Sequence, residues 1–176
     1  MPVLVALLGF LAAAGYWYFR IRDAGGTARD LADAANDVRL AARRFGFRSR
    51  ANIHPIDCIE DARMAAAGIT VAVAEMDGAL TQAEKDTAIV QFQSVFDVSK
   101  SDAEELFTFG RWIASQSGTR AEAVRRLTKK LVSLAGAEAG PDLIRLVKAV
   151  GMAEGNILHD DAEDALQTIR RYFPNA

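Results

Sequence analysis

Three carboxylates, Glu75, Asp77 and Glu84, bracket a glycine in the stretch Ala72-Val73-Ala74-Glu75-Met76-Asp77-Gly78-Ala79-Leu80-Thr81-Gln82-Ala83-Glu84. Carboxylates on a tight turn are hard oxygen ligands. Asp77, Gly78, Leu80 and Glu84 keep the spacing of the second half of an EF-hand loop, in which a glycine turns the chain and a later Glu closes the cage. Counting back, the first and third ligand positions fall on Val73 and Glu75, so a complete Ca²⁺ cage is not expected. A looser echo follows in Ala153-Glu154-Gly155-Asn156-Ile157-Leu158-His159-Asp160-Asp161-Ala162-Glu163, where Asn replaces the Asp and the following Gly is missing. The metal reading takes Glu75, Asp77, Glu84, Glu154 and Glu163 as candidate ligands of a divalent cation, with both acidic turns facing one groove.

Local capping competes with that reading. Gly78 suits a left-handed helix C-terminus, and Thr81 with Glu84 has the spacing of a capping box. Glu75 and Asp77, however, fall at the C-terminal end of a helix, where the macrodipole disfavours negative charge. A cationic partner is therefore expected. An enzyme is not: paired carboxylates can act as acid and base, but the chain has no evident nucleophile and base pair, no phosphate-binding Gly loop, and only His54 and His159. His159, beside Asp160, reads as a helix-start residue. A metal-dependent hydrolase is the weakest alternative.

The elements that must position these residues are helical. Few segments alternate in the manner of strands, so the fold class is all-α. Pro55 is expected to open a helix over about 56–75. Met64 to Ala74 contains only apolar residues, Gly and Thr, which marks the central helix of a bundle, with Gly68 admitting close neighbours. Thr81 and Glu84, Ser101 and Glu104, and Thr119 and Glu122 predict three helix starts. Pro141 opens a further helix, and a last one runs over about 160–173. The basic face of the helix after Thr119 (Arg120, Arg125, Arg126, Lys129, Lys130) is expected to be solvated. His54-Pro55-Ile56-Asp57 has a residue too many for the His-Pro-Asp loop of a J-domain.

The formal net charge of −2 conceals an asymmetry: residues 1–55 hold eight Arg against four Asp, a balance of +4, which leaves −6 for the rest. A basic stem under an acidic head argues against nucleic acid binding by the head. Pro2 to Phe19 carries no charge and ends in Tyr16-Trp17-Tyr18 before Arg20 and Arg22. About 18 helical residues rise near 27 Å, enough to cross a hydrocarbon core, and the aromatic and basic border fits an interface. A cleaved signal peptide would want its charges before the apolar run. By the positive-inside rule the N-terminus lies outside and the head is cytoplasmic, at a bacterial-type inner membrane. Residues 1–22 thus read as the anchor, 23–54 as a basic juxtamembrane helix and linker, and 55–176 as the helical domain.

Gly25-Gly26 reads as a hinge. Beyond it Ala28, Leu31, Ala35, Val38, Ala42 and Phe45 form a narrow seam, which suits either a short coiled coil, with a homodimer through residues 5–45, or packing against the head. Arg39, Arg43, Arg44, Arg48 and Arg50 crowd its end as solvated charges or as contacts to anionic head groups. The single cysteine, Cys58, fits a reducing compartment and reads as a small core residue.

The motif at 74–84, with the weaker repeat at 153–163, resembles the TerB-like domain of tellurite-resistance proteins, which also precedes the J-domain in co-chaperones of the DjlA type. The likeness spans roughly residues 56–173. It implies an all-helical, pseudo-symmetric bundle whose acidic residues bind metal, and the co-chaperones share the short external N-terminus and single membrane helix. This chain ends at Ala176 with no J-domain, so stimulation of a chaperone ATPase is not expected. The expected function is a membrane-anchored scaffold or partner-binding module, with a divalent-metal-binding sensor as the alternative.

Overall fold

The computed structural model describes residues 35–155 and 157–174, and those from Asp37 onward form one compact unit. The expected anchor over residues 1–22 and the Gly25-Gly26 hinge lie outside the described residues. Among those described, no helix is long and apolar enough to cross a membrane. Every regular element among the described residues is helical: α1 (35–44), α2 (Ala62–Ala74), α3 (Gln82–Phe96), α4 (Lys100–Ala114), α5 (Arg120–Ala135), α6 (Gly140–Gly151) and α7 (Asp160–Tyr172), with 3₁₀ turns at Pro55–Cys58 and Ala137–Ala139.

Helix α2 is the axis of the bundle. All residues from Met64 to Ala74 are buried, and the helix packs against α3, α4, α5, α6 and α7. Thr70, the polar side chain in that run, donates its hydroxyl to the Ala66 carbonyl at 2.9 Å, so nothing polar on it is left to solvate. Two glycines set the approach of its neighbours. A Cβ on Gly68 would stand 2.7 Å from Ile113 Cγ2, and one on Gly110 would stand 2.8 Å from the Ala67 carbonyl oxygen. The first obstacle is a side-chain methyl and the second is backbone, so α4 crosses α2 at a distance only glycine permits.

The expected helix over 56–75 is divided. His54 takes the N-cap of a 3₁₀ turn, its Nδ1 accepting from the Ile56 N–H, and Ile59 leaves that turn in extended conformation. Asp61 then caps α2 afresh by accepting from the Arg63 N–H at 2.9 Å. The start of α4 also differs from expectation. Ser99, not Ser101, is the cap, accepting from the Asp102 N–H while its hydroxyl bonds the Asp102 carboxylate at 2.7 Å. Both pairs have capping spacing, and the earlier one wins because Asp97 already reverses the chain in left-handed conformation. The caps at Thr81 and Thr119 and the opening of α6 at Pro141 stand as expected, and Cys58 is buried.

The C-terminal end of the α1 seam lies against the head, while Ala35 is exposed. Ala41 is fully buried and Ala42 and Phe45 pack on the core. Phe47 joins an aromatic cluster with Phe109 and Trp112, its ring centroid 5.2 and 5.4 Å from theirs, and the Arg63 guanidinium sits 5.2 Å over the Phe45 ring. Arg44 binds Asp102 and lies 3.3 Å from Glu105. One of the five crowded arginines is thereby held by the fold, and Arg50 reaches Glu60 at 3.0 Å.

Two outcomes are expected. Gly110→Ala forces α4 away from the Ala67 carbonyl and lowers the urea-unfolding free energy by roughly 1–3 kcal/mol, whereas Gly78→Ala, with nothing within 4 Å of the added carbon, leaves it unchanged; equal effects would reject the close crossing. The Ser99 hydroxyl and then the Arg44 guanidinium hold Asp102 below the usual carboxylate range. Its contribution is present above the unfolded value of about 3.9 and is lost as pH falls through its folded value. Asp102→Asn should therefore weaken the fold at neutral pH and flatten the acid limb below about pH 4; urea midpoints falling in parallel for both proteins would contradict this.

Candidate functional site

The C-terminal end of α2 delivers Glu75 to a place where helix geometry disfavours it. As the C-cap, its carboxylate adds negative charge to the negative end of the macrodipole. The cationic partner expected from sequence is supplied by the chain itself. Glu75 Oε1 accepts from Arg111 Nε at 3.1 Å, and Oε2 lies 2.7 Å from Arg120 Nη2. Arg120 is the first residue of α5, where a cation is as ill placed as an anion at the end of α2. Pairing the two offsets both dipole penalties. Arg120 also donates to the Ala114 carbonyl at 3.2 Å, so the clamp ties together the ends of α2 and α4 and the start of α5. The Glu75 side chain is 8% exposed, which makes this the one nearly buried carboxylate of the expected ligand set that is held by opposite charge.

Glu84 is also occupied. Its Oε2 accepts from the Thr81 N–H at 2.9 Å and from the Thr81 hydroxyl at 3.0 Å, while its own N–H donates to Thr81 Oγ1, completing the capping box. Gly78 lacks the positive φ expected of it; among described glycines Gly46 and Gly136 have that geometry. Helix α2 instead ends through Glu75 near the bridge region, at φ −92° and ψ 10°, so a left-handed residue is not required. Glu154 and Glu163 are exposed. Among the described residues, no group of three or more His, Cys, Asp or Glu side chains is gathered as a metal cluster.

The two acidic turns nonetheless meet. Asp77 lines a cleft of about 420 Å³ together with Ile157, Leu158, His159, Asp160 and Asp161. His159, at the N-cap of α7, makes no capping bond; its Nε2 lies 3.2 Å from Asp77 Oδ2. Leu158 anchors the loop before it. The side chain is packed on the core, and a Cβ on Gly151 would stand 2.7 Å from its Cδ1. With Leu158 turned inward, Ile157 is left 75% exposed and His159 is turned toward Asp77. Asp160 and Asp161 occupy the first turn of α7, where carboxylates complement the helix dipole.

The structure thus brings Asp77 to the second turn but leaves the other expected ligands elsewhere. His159, Asp160, Asp161, Arg111 and Arg120 are the residues that sequence reasoning did not place in the site. For His159 the available signal was a histidine directly before two carboxylates at a helix start; for the arginines, the misplaced charge of Arg120 at a helix N-terminus. The basic face of α5 is correspondingly less free than expected. Arg120 serves Glu75, Arg126 lies 3.2 Å from Asp57, and Lys130 donates to the Asp57 carbonyl at 2.9 Å, leaving Arg125 and Lys129 exposed.

No family model, no curated protein and no solved structure matches the chain.

The clamp predicts a non-additive pair. Glu75→Ala strands Arg120 beside the start of its own helix and is expected to cost roughly 1–3 kcal/mol. In the Glu75→Ala, Arg120→Ala double mutant the loss should fall short of the sum of the single losses by about 1 kcal/mol. Strict additivity in urea titrations would show that the two charges do not support one another.

Proposed function

We propose that the chain is a membrane-anchored helical module of TerB-like type whose head acts as a scaffold on the cytoplasmic face, with the cleft at Asp77 and His159 as its docking surface. The observation that carries this reading is how the acidic turns are used. Glu75 and Glu84 serve the fold, while the carboxylates left on the surface gather beside Ile157, a large apolar side chain in water. A single exposed apolar side chain is common on protein surfaces; Ile157 is set apart by lying with Asp77, Asp160 and Asp161 on the rim of one cleft. The uncharged segment from Pro2 to Phe19 with its Tyr, Trp and Arg border supports the anchor, and the loose repeat of the acidic turn supports a pseudo-symmetric bundle of the TerB-like kind.

Asp77 and His159 also favour a second reading. An oxygen and a nitrogen donor 3.2 Å apart offer two ligands to a divalent cation, with water completing its shell. A sensor built this way would draw on Asp77 from the expected set and on His159, and not on Glu75 and Glu84, which already have partners within the fold.

The anchor is tested by fractionating cells that express the full chain. The protein should sediment with membranes and resist extraction by high salt, removal of residues 2–19 should release it, and a protease added from outside should not reach the head. A head cleaved from outside, or a truncated chain still in the membrane fraction, would defeat the proposal. For the second reading, titration of the full chain with Zn²⁺ or Mn²⁺ should raise its melting temperature and His159→Ala should abolish the rise; at 100 times the dissociation constant the gain is about 2.7 kcal/mol.

A further inference from the structure

Four large apolar side chains are exposed among the described residues: Leu40, Ile53, Val90 and Ile157. Two of them carry opposite electrostatic surroundings. Leu40, 48% exposed, lies on α1 three positions before Arg43, and Arg39 lies four before Arg43. Residues three and four apart are surface neighbours on a helix, so Arg43 joins Leu40 and Arg39 into one patch. Arg39 and Arg43 are themselves exposed, while Arg44, one position on, is held by Asp102 and Glu105. Asp37 lies nearby on the same helix, yet residues 37–50 still hold five Arg against that one Asp. Ile157 stands in the mirror setting, beside Asp77, Asp160 and Asp161 on the rim of the cleft.

Both patches belong to the same compact unit and both are open to water within it, so neither covers the other inside one chain. We propose that the occupant of the cleft is a second copy of this chain, whose Arg39-Leu40-Arg43 face seats against Ile157, Asp160 and Asp161. The contact is heterologous: the patch that one copy presents differs from the patch that receives it. Such contacts leave one surface of each kind unused at the ends of a row, and they propagate into rings or open rows. The rim charges steer and orient the encounter, and the two apolar side chains give it a dry centre. A contact of this size is weak for free chains, but tethering both copies to one surface raises their effective concentration. Screening of the rim charges makes it sensitive to salt. This arrangement differs from a stem-to-stem homodimer through residues 5–45, in which like patches would face each other.

The inference rests on reading the cleft as a docking surface, and the test separates the two. A photoreactive amino acid replaces Ile157 in the full chain, expressed in cells, and the products are mapped by mass spectrometry after irradiation. The expected product is a dimer of the chain linked from position 157 to the α1 face around Leu40. In the same background Asp160→Lys with Asp161→Lys should reduce that dimer about tenfold, and Arg39→Glu with Arg43→Glu in the copy that presents its α1 face should restore it. Cross-links to other proteins alone would overturn the second-copy occupant while leaving the docking surface standing. No cross-link to any protein would overturn both. A dimer joined from 157 to 157, or one unaffected by charge reversal, would also overturn the head-to-stem contact.

Discussion

A helix with no polar face has to be surrounded, and the fold follows from that requirement on α2. Eleven consecutive buried residues leave no side of it that can meet water, so each neighbouring helix is placed by the need to cover it. Apolar burial is worth roughly 25 cal/mol per Å², but it is collected only where backbones can come close. Alanine and glycine serve that purpose here. The Ala67 carbonyl meets α4 at Gly110, and Gly68 receives Ile113 and Leu127. Larger side chains at these positions would fill the space with their own volume and push the covering helices outward, exposing the stripe they were meant to seal.

Sealing α2 also fixes where it must emerge. A helix that runs through the centre of a bundle meets solvent at its ends, and its C-terminal end carries the partial negative charge of its unpaired carbonyls. Glu75 at that end would be a liability in isolation. It becomes a junction because α5 begins nearby with Arg120, a cation in an equally poor position, and because Arg111 reaches over from α4. The same contact that neutralises two helix ends therefore fixes the direction in which the next residues leave. Met76 is half-buried and packed on the core, and Asp77 is carried out to the rim where His159 waits. The site is a consequence of how the central helix is finished.

Much of this was legible in the sequence because its causes are local. The capping boxes, Pro141 and the apolar run of α2 depend on residues within a few positions of one another, and helix-forming signals at such range are read directly from spacing. The failures are equally physical. Ser99 and Ser101 both stand three residues before a carboxylate, and the choice between them was made by the left-handed turn at Asp97, a property of the preceding helix end. Gly78 looked like a left-handed cap because glycine permits that conformation, but permission is not use. Glu75 meets Arg111 and Arg120 across 36 and 45 residues of chain, and no periodicity reports a contact of that range. The helix dipole disfavours Glu75 without a cation, and the fold supplies that cation from Arg111 and Arg120.

The difference between an internal and an external partner governs how the acidic turns should be read. A carboxylate in an unfavourable position is evidence of compensation, and the compensating group can be an ion, a partner or another side chain. Glu75 is compensated by arginines and Glu84 by its own helix start, so neither retains the open coordination that binding an external cation would use. Asp160 and Asp161 need no compensation, since the α7 dipole favours them where they stand. Their charge is thereby left directed outward, next to Asp77 with its neighbour His159, around an isoleucine left in water where Leu158 turns inward. Ile157 is the one member of this group that the fold does not repay. The surface proposed to cover it would meet the carboxylates of Asp160 and Asp161 beside it, and a basic rim is what complements them.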